Sequence, residues 1–344
     1  MGSMKDVMKD VAKKYGDKTF INSHEIEVVD RIPTGIFPLD LALGGGIPRR
    51  RLTMIAGPNG SNKTNITFKL IRMHQMLWPD KYCIFIDIEG TFDPEWAAQF
   101  GIDLDWLHVV RPDFAEQAVD ITVDLIRADD VGLIIIDSLG AMISKKEIEN
   151  SAEIASVGGA ALLITRFCKK ITVECSKAEK EGRSPTVVAI NQVRTKIGQL
   201  YGDPETVSGG NALLHTLTLF IRVYGKPIKD AKADTEQPVW RETNFTLKKN
   251  KMKVVATTGK FTMAMLKNGY FDVGDTDDWN TISNYLKDLG FLSKKEGSKG
   301  GWIMLDKEYP TLDKCRDAVY GDAKYGAEIR AAIVHRVMKD CEVI

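Results

Sequence analysis

Short, almost wholly apolar runs alternate with helical segments through much of this 344-residue chain, and this alternation limits the possible folds. A strand that is apolar along its whole length is buried on both faces, which is typical of a parallel sheet covered by helices on each side. The sequence therefore predicts an α/β fold with a mostly parallel sheet. In chain order the predicted strands are LTMIAG, YCIFIDIEG, LHVVRP, VGLIIIDSLG and TVVAINQV.

The segments around these strands predict three parts of the chain. Residues 1–32 hold an amphipathic helix, MKDVMKDVAKKYG, which is marginal in water on its own and must dock on its own core or on a neighbouring subunit. Residues 33–269 form the core, whose sheet the β-rich runs TLFIRVYG and NFTLKKNKMKVV extend. In residues 270–344 the pattern changes to that of a small α+β domain.

The charge balance and the cysteines restrict the classes of partner and compartment. Lys and Arg number 47, as do Asp and Glu, so the formal net charge is +0 and any nucleic-acid site must be local. The five cysteines are scattered without a C-x-x-C pair, which indicates reduced thiols in a cytosolic protein and no metal cluster. No apolar run is long enough to span a bilayer.

The stretch AGPNGSNKT has almost every part of a phosphate-binding loop. It follows a predicted strand and precedes a predicted helix, where backbone N–H groups and the helix N-terminus bind phosphate oxygens. A lysine to neutralise the β- and γ-phosphates and a threonine to bind Mg²⁺ complete it, which favours a nucleotide site over a flexible turn. The predicted nucleotide-binding residues here are Gly57, Pro58, Asn59, Gly60, Ser61, Asn62, Lys63 and Thr64.

Asn62 departs from the pattern, which has glycine immediately before the lysine. Asparagine tolerates a positive φ better than most residues, so the loop can keep its backbone shape. We expect the asparagine side chain to crowd the phosphates more than a hydrogen atom does.

Two predicted strands end in carboxylates. LIIIDS brings Asp137 to the carboxyl end of its strand, where ligands bind in parallel sheets and where an aspartate can hold the magnesium shell. FIDIEG ends with Asp87 and Glu89. We assign Glu89 to the activation of the attacking water and give Asp87 a structural role.

At this point the ordered motifs resemble the bacterial RecA-type recombinases. The densest match is AINQVRTKIGQLYGDPETVSGGNAL, and IPTGIFPLDLALGGGIP, FIDIEGTFDPEWA and KKEIENSAEIASVGGAA follow the family order as well. The phosphate-binding loop, which has Asn62 in place of the glycine before the lysine, also resembles that of phage recombinases of this superfamily. The likeness runs to about residue 270, and more loosely beyond it. It implies a RecA-like P-loop ATPase core that uses ATP and Mg²⁺.

The resemblance also implies roles for individual residues around the nucleotide. Glu89 is similar to the catalytic glutamate, and Asp93 and Trp96 are similar to the pair that contacts adenine. Gln192 resembles the residue that senses the γ-phosphate and passes that state to the following loop. Two further residues, Lys249 and Lys251, resemble lysines that reach across a subunit interface to the neighbour's ATP. The N-terminal helix and the strand that follows it, within residues 1–32, resemble the element that docks on the adjacent protomer.

Two DNA-binding loops follow from the same resemblance. The first contains Ser156, Val157, Gly158 and Gly159, and the second involves Arg194, Lys196, Tyr201, Ser208, Gly209 and Gly210. From the residues alone, the segment VRTKIGQLYGDPETVSGGN is too polar and too rich in glycine to belong to a core. Three interpretations of it remain: a plain surface loop, a substrate or lid loop, and a DNA-binding loop. The basic turn SKKEGSKGGW is either a patch that captures duplex or a solvated turn.

Several positions depart from the family pattern besides Asn62. Val157 stands where relatives place a larger methionine, and Leu162 stands where an arginine is usual, so one secondary DNA contact is in question. His215 replaces an aromatic residue that helps to couple subunits. The last residues, DCEVI, are not an acidic tail, so we do not expect autoinhibition of that kind.

The resulting prediction is a DNA-dependent ATPase that forms ATP-bound helical filaments on single-stranded DNA and pairs it with homologous double-stranded DNA. One alternative is a hexameric DNA motor on the same core, against which the segment GDPETVSGGNAL and the N-terminal helix argue. The other is a regulatory paralogue that hydrolyses little ATP. Asn62 favours that paralogue, whereas intact Lys63, Thr64, Glu89 and Asp137 argue against it.

Overall fold

A computed structural model describes residues 3–16, 19, 24, 29–149, 159–195, 205–229, 238–252, 255–297 and 300–342. The helices are α1 (Met4–Tyr15), α2 (Phe37–Leu43), α3 (Lys63–Leu77), α4 (Pro94–Gln99), α5 (Ala115–Arg127), α6 (Lys145–Glu149), α7 (Gly159–Lys180), α8 (Gly210–Thr216), α9 (Trp279–Asp288), α10 (Leu312–Gly321) and α11 (Ala323–Glu342). The strands are β1 (Arg31–Ile32), β2 (Ile47–Pro48), β3 (Leu52–Gly57), β4 (Tyr82–Asp87), β5 (Leu107–Val110), β6 (Val131–Asp137), β7 (Thr186–Thr195), β8 (Glu205–Val207), β9 (Leu219–Ile228), β10 (Trp240–Asn250), β11 (Thr258–Ala264), β12 (Thr276–Asp277), β13 (Leu292–Lys294), β14 (Trp302–Met304) and β15 (Lys307–Tyr309).

The central sheet confirms the predicted α/β fold. Its strand order is β12-β11-β10-β9-β3-β7-β6-β4-β5, and β8 pairs with β7. Neighbouring strands from β9 to β5 along this order are parallel, whereas β10, β11 and β12 add to the sheet in antiparallel pairs. The runs TLFIRVYG and NFTLKKNKMKVV thus extend the sheet as predicted, through β9 and β10.

Helices cover the sheet on both faces, as the apolar strands require. Alternate residues of β3 contribute to different clusters, with Ile55 in one core and Met54 in the other. Phe68 of α3 belongs to the first cluster and Ile171 of α7 to the second. Strand β5 differs from the other predicted strands because it forms the edge of the sheet, where Val109 is exposed.

A third apolar cluster joins α9, α10 and α11 to Phe37 and Leu41 of α2. The small antiparallel sheet β13-β14-β15 belongs to the same region. Strand β12 nevertheless pairs with β11, so the central sheet continues past residue 270. The domain limits 1–32, 33–269 and 270–344 stay predictions.

The N-terminal helix α1 has a capped start, because Ser3 and Asp6 exchange hydrogen bonds, and ends at Gly16 with a φ of 97°. None of its residues is buried among the described part of the chain, and Met4, Val7, Met8 and Tyr15 are exposed. Whether α1 docks on its own core or on a neighbouring subunit stays a prediction.

A buried histidine on α3 makes the stability of the fold depend on pH. His74 is 1% exposed and lies beside Cys83 and the ring of Trp78. Burial, reinforced by the charge of Arg49, lowers the pKa of His74 to about 4. Because the unfolded chain binds this proton near pH 6.5, the stabilising contribution is present above that pH and is lost as the pH falls towards 4.

We expect the unfolding free energy of the parent to fall by about 2 kcal/mol more than that of His74→Gln between pH 7.5 and pH 5. Denaturant titrations of both proteins at the two pH values measure the difference. An equal fall in parent and variant would show that His74 titrates normally in the folded state.

Candidate functional site

The phosphate loop lies between β3 and α3, and its backbone requires particular residues. A Cβ atom at Gly57 would lie 2.2 Å from the carbonyl oxygen of Val223 and 2.4 Å from Oγ of Ser61, so only glycine fits. Gly60 has a φ of 71°, and Asn62 has a φ of 77° directly before α3 begins. The left-handed backbone expected at Asn62 is therefore present.

The side chain of Asn62 is held by hydrogen bonds to β10 and α3. It is 6% exposed, and its Nδ2 donates to Oγ1 of Thr243 on β10 at 3.2 Å. Its Oδ1 accepts a hydrogen bond of 2.7 Å from Nδ2 of Asn65 on α3. These two bonds hold the amide against β10 and α3, while Asn62 also lines the cleft at the loop, so its crowding of the phosphates stays a prediction.

Lys63 and Thr64 start α3 at the opening of the loop. Nζ of Lys63 donates to the carbonyl oxygens of Gly57 at 3.1 Å and Pro58 at 2.8 Å. Burial lowers the pKa of Lys63, and the nearby charges of Asp137 and Glu89 act in the opposite direction. The ammonium group is thus already at the loop, where phosphate oxygens would compete with the two carbonyls for it.

Thr64 and Asp137 form the predicted metal-binding pair. Oγ1 of Thr64 donates to Oδ2 of Asp137 at 2.9 Å. Burial raises the pKa of Asp137 to about 6; the hydrogen bond from Thr64 lowers it and the negative charge of Glu89 raises it further. A hydroxyl and a carboxylate are the hard oxygen ligands that Mg²⁺ prefers, so the residues present fit that ion.

Glu89 lies at the carboxyl end of β4 with two polar partners. Oγ of Ser138 donates to its Oε1 at 2.5 Å, and Nε2 of Gln192 donates to the same oxygen at 3.4 Å. The register explains this meeting, because Asp87 pairs with Asp137 and Gly57 pairs with Gln192 at the same edge of the sheet. One carboxylate oxygen is thereby oriented, and Glu89 is exposed to solvent.

Asp87 has the contacts of a structural residue. It is 2% exposed and accepts hydrogen bonds from the backbone of Thr91 and Phe92 and from Nε of Arg111. These bonds hold the loop after β4 and leave its neighbour Glu89 facing solvent.

Asp93 and Trp96 lie close to the phosphate-loop helix. The side chain of Asp93 accepts from the backbone N–H of Trp96 at 3.0 Å and so caps α4. The indole Nε1 of Trp96 donates to Oδ1 of Asn65 at 3.0 Å, and its ring meets Phe100 edge-on at 5.3 Å. The predicted adenine-contacting pair is thus joined to α3 by a direct hydrogen bond.

Lys249 and Lys251 lie away from the phosphate loop of their own chain. Lys249 pairs with Phe220 at the start of β9, whereas the phosphate loop follows the end of the parallel strand β3. Its Nζ donates to the carbonyl oxygen of Leu214 on α8. Lys251 is exposed just beyond β10. This placement does not bring either lysine to the nucleotide site of the same chain.

The structure describes only part of the predicted DNA-binding loops. Ser156, Val157, Gly158, Lys196 and Tyr201 lie outside the described residues, Gly159 starts α7, and Arg194 lies on β7 opposite Thr206 of β8. The carbonyl of Ser208 accepts from Nδ2 of Asn191 at 2.8 Å, and that of Gly209 accepts from Thr165 at 3.1 Å. Gly209 and Gly210 both have a positive φ where α8 begins.

Several residues of this site were not found from the sequence. Asn191 also accepts from the backbone N–H of Gln192 at 2.8 Å, so its amide joins the middle of β7 to Ser208. Arg241 on β10 donates to the carbonyl oxygen of Gly60 and lines the cleft beside the loop. Asn65 and Thr243 contact Asn62. Asn191 lies within the motif AINQV and could have been found there. No motif marks Arg241, Asn65 or Thr243.

Comparisons with known proteins identify relatives of this chain. Residues 2–269 match the family model described as the RecA N-terminal domain. The chain is similar to Protein RecA of Ectopseudomonas oleovorans, at 33% identity over 91% of this chain and 89% of the relative. Protein RecA of Pseudomonas fluorescens is 35% identical over 82% of this chain and 77% of the relative, and that of Campylobacter fetus is 35% identical over 86% and 83%.

Among the described residues, no helix has both the length and the apolar character needed to cross a bilayer. The extent of the family match and the identity to these relatives establish the relationship. The chain belongs to the RecA family of DNA recombination and repair proteins, which bind ATP and DNA.

Proposed function

We propose that this protein is a DNA-dependent ATPase that assembles on single-stranded DNA as a helical filament and exchanges it with homologous duplex. The observation that carries the proposal is the meeting of two groups at one edge of the sheet. Lys63, Thr64 and Asp137 form the first, and Glu89 with Gln192 forms the second. The first group suits phosphates and Mg²⁺, and the second suits a water molecule beside the γ-phosphate.

Each residue has a separate part in the proposed hydrolysis. Lys63 binds the phosphates by its positive charge, and Thr64 with Asp137 would hold Mg²⁺, which neutralises phosphate charge when bound. Glu89 orients the attacking water and accepts its proton. Ser138 donates to one oxygen of Glu89 and thereby keeps the carboxylate in place.

Gln192 provides the proposed connection from nucleotide to DNA. Its side chain reaches Glu89, and its backbone N–H is bound by Asn191, whose Nδ2 reaches Ser208. A movement of Gln192 towards a γ-phosphate would therefore act on the segment that contains Ser208 and Gly209. This path supports the assignment of that segment to DNA binding over the alternative of a plain surface loop.

Two features support assembly of many subunits. Helix α1 presents uncovered Met4, Val7 and Met8, and Lys249 with Lys251 lies away from the nucleotide loop of its own chain. We propose that α1 docks on the next protomer and that the two lysines reach the ATP bound there. ATP would then lie between subunits, favour the DNA-bound filament, and release DNA when hydrolysed.

The test of this function is ATP hydrolysis with and without single-stranded DNA, followed by electron microscopy of the same samples. We expect hydrolysis to require DNA for its full rate and helical filaments to form with ATP. Closed rings in place of filaments would instead support a hexameric DNA motor. Nucleotide binding without DNA-stimulated turnover would support the regulatory paralogue.

The second loop gives a sharper prediction for DNA. Lys196→Ala should weaken single-strand binding similarly across sequences and reduce the slope of log affinity against log salt by about one unit. Tyr201→Ala should reduce strand exchange more than DNA-free ATP hydrolysis, because an aromatic ring can stack with bases. Lys81→Ala, just before β4 at the opposite end of the sheet, is the matched control. Unchanged binding and exchange in both loop variants would reject the loop assignment.

A further inference from the structure

Four side chains from separate elements form one line of hydrogen bonds beside the phosphate loop. Trp96 of α4 donates to Asn65 of α3 at 3.0 Å, and Asn65 donates to Asn62 at 2.7 Å. Asn62 in turn donates to Thr243 of β10 at 3.2 Å. The line therefore begins at the tryptophan assigned to adenine and passes through the phosphate loop itself.

Chemistry fixes the direction of this line. An indole N–H can only donate, so the atom of Asn65 that faces Trp96 must be the carbonyl oxygen. The amide nitrogen of Asn65 then faces Asn62, which must present its own oxygen and turn its nitrogen towards Thr243. Each amide uses one acceptor and one donor, and neither can be reversed without placing two donors or two acceptors together.

From this arrangement we propose that Asn65 is a positioning residue that links recognition of the base to recognition of the phosphates. It holds the indole of Trp96 at a fixed place relative to Asn62, and Asn62 lies within the loop that receives the phosphates. The nucleoside and the triphosphate are thereby bound as parts of one rigid site. This inference rests on the proposed ATP-binding function and adds to it a residue that selects for a ligand with a base.

Asn62 has a defined place in this proposal. Glycine at that position would keep the positive φ, but it would leave the amide nitrogen of Asn65 with only the sulfur of Met265, at 3.8 Å, as an acceptor. The side chain of Asn65 could then rotate and release the indole. The departure from the loop pattern at Asn62 is thus matched by Asn65 three residues later, and the two asparagines act as a pair.

The test compares two probes, Mg·ATP and inorganic tripolyphosphate with Mg²⁺, on the full chain. Asn65→Ala removes the link, and Trp96→Phe keeps an aromatic ring but removes the N–H donor. Each variant should weaken ATP binding about threefold to tenfold, the range for one lost hydrogen bond. Binding of tripolyphosphate should change by less than twofold. Asn244→Ala, next to Thr243 and exposed on β10, is the matched control.

The double variant distinguishes a hydrogen bond shared by Trp96 and Asn65 from two independent contributions to ATP binding. With a link, Asn65→Ala combined with Trp96→Phe should bind ATP no more weakly than the worse single variant, because the same bond is lost once. The inference would be overturned if the two fold-losses of ATP affinity multiplied in the double variant. It would also be overturned if the variants weakened tripolyphosphate binding as much as ATP binding. If Asn65→Ala fails to fold, Trp96→Phe alone still decides between the two probes. A parent that binds neither probe would reject the proposed function itself, and one that binds tripolyphosphate as tightly as ATP would overturn only the link.

Discussion

Glu89→Gln is expected to lower the rate of ATP hydrolysis by about a hundredfold or more, the scale of a lost general base. Glutamine keeps the size of the side chain and can still meet Ser138 and Gln192, but it cannot accept the proton of the attacking water. Because Lys63, Thr64 and Asp137 are unchanged, ATP binding should persist. Filaments on single-stranded DNA should persist or become more stable, since their release depends on hydrolysis.

Steady-state turnover, ATP affinity and electron microscopy of filaments measure these three outcomes separately. Glu95→Gln is the matched control, because Glu95 is an exposed carboxylate on the neighbouring helix α4. Hydrolysis at the parental rate in Glu89→Gln would show that another group activates the water. Loss of ATP binding together with turnover would instead give Glu89 a role in holding the nucleotide.

Much of the fold could be predicted because burial on both faces leaves a strong pattern. Strands β3 and β6 are buried along their whole length and appear in the sequence as almost wholly apolar runs. The edge position of β5 could not be read in this way, since LHVV contains as many apolar residues as a short central strand. The continuation of the sheet through β11 and β12 also depends on pairings across the predicted domain limit.

In the candidate site, too, features that depend on neighbouring residues in the sequence could be predicted, whereas contacts between distant residues could not. Lys63 and Thr64 follow from a local motif, and the carboxyl ends of parallel strands bring Asp137 and Glu89 to them. The position of the Asn62 side chain depends on Thr243, which is 181 residues away in the chain. No spacing rule connects two such residues, so the sequence predicted the positive φ of Asn62 but could not predict the partners of its side chain.

Lys63→Ala is expected to reduce DNA-stimulated ATP turnover by about a hundredfold or more, whereas Asn62→Gly should change affinity or turnover by no more than about tenfold. Lys63 supplies the positive charge of the loop at the transferring phosphate, and alanine removes that charge. Asn62 supplies a left-handed backbone that glycine adopts equally well, together with two hydrogen bonds to Asn65 and Thr243. Losing those bonds affects the placement of neighbours and leaves the charge in the loop unchanged.

Nucleotide binding and turnover in the parent, Asn62→Gly and Lys63→Ala form the decisive comparison. A parent as inactive as Lys63→Ala, with activity only in Asn62→Gly, would show that the loop has lost its function and would favour the regulatory paralogue. The structure argues for the opposite result. The asparagine keeps the backbone conformation of the loop, its side chain is bonded to β10 and α3, and Lys63 and Thr64 stand at the start of α3 as the phosphates require.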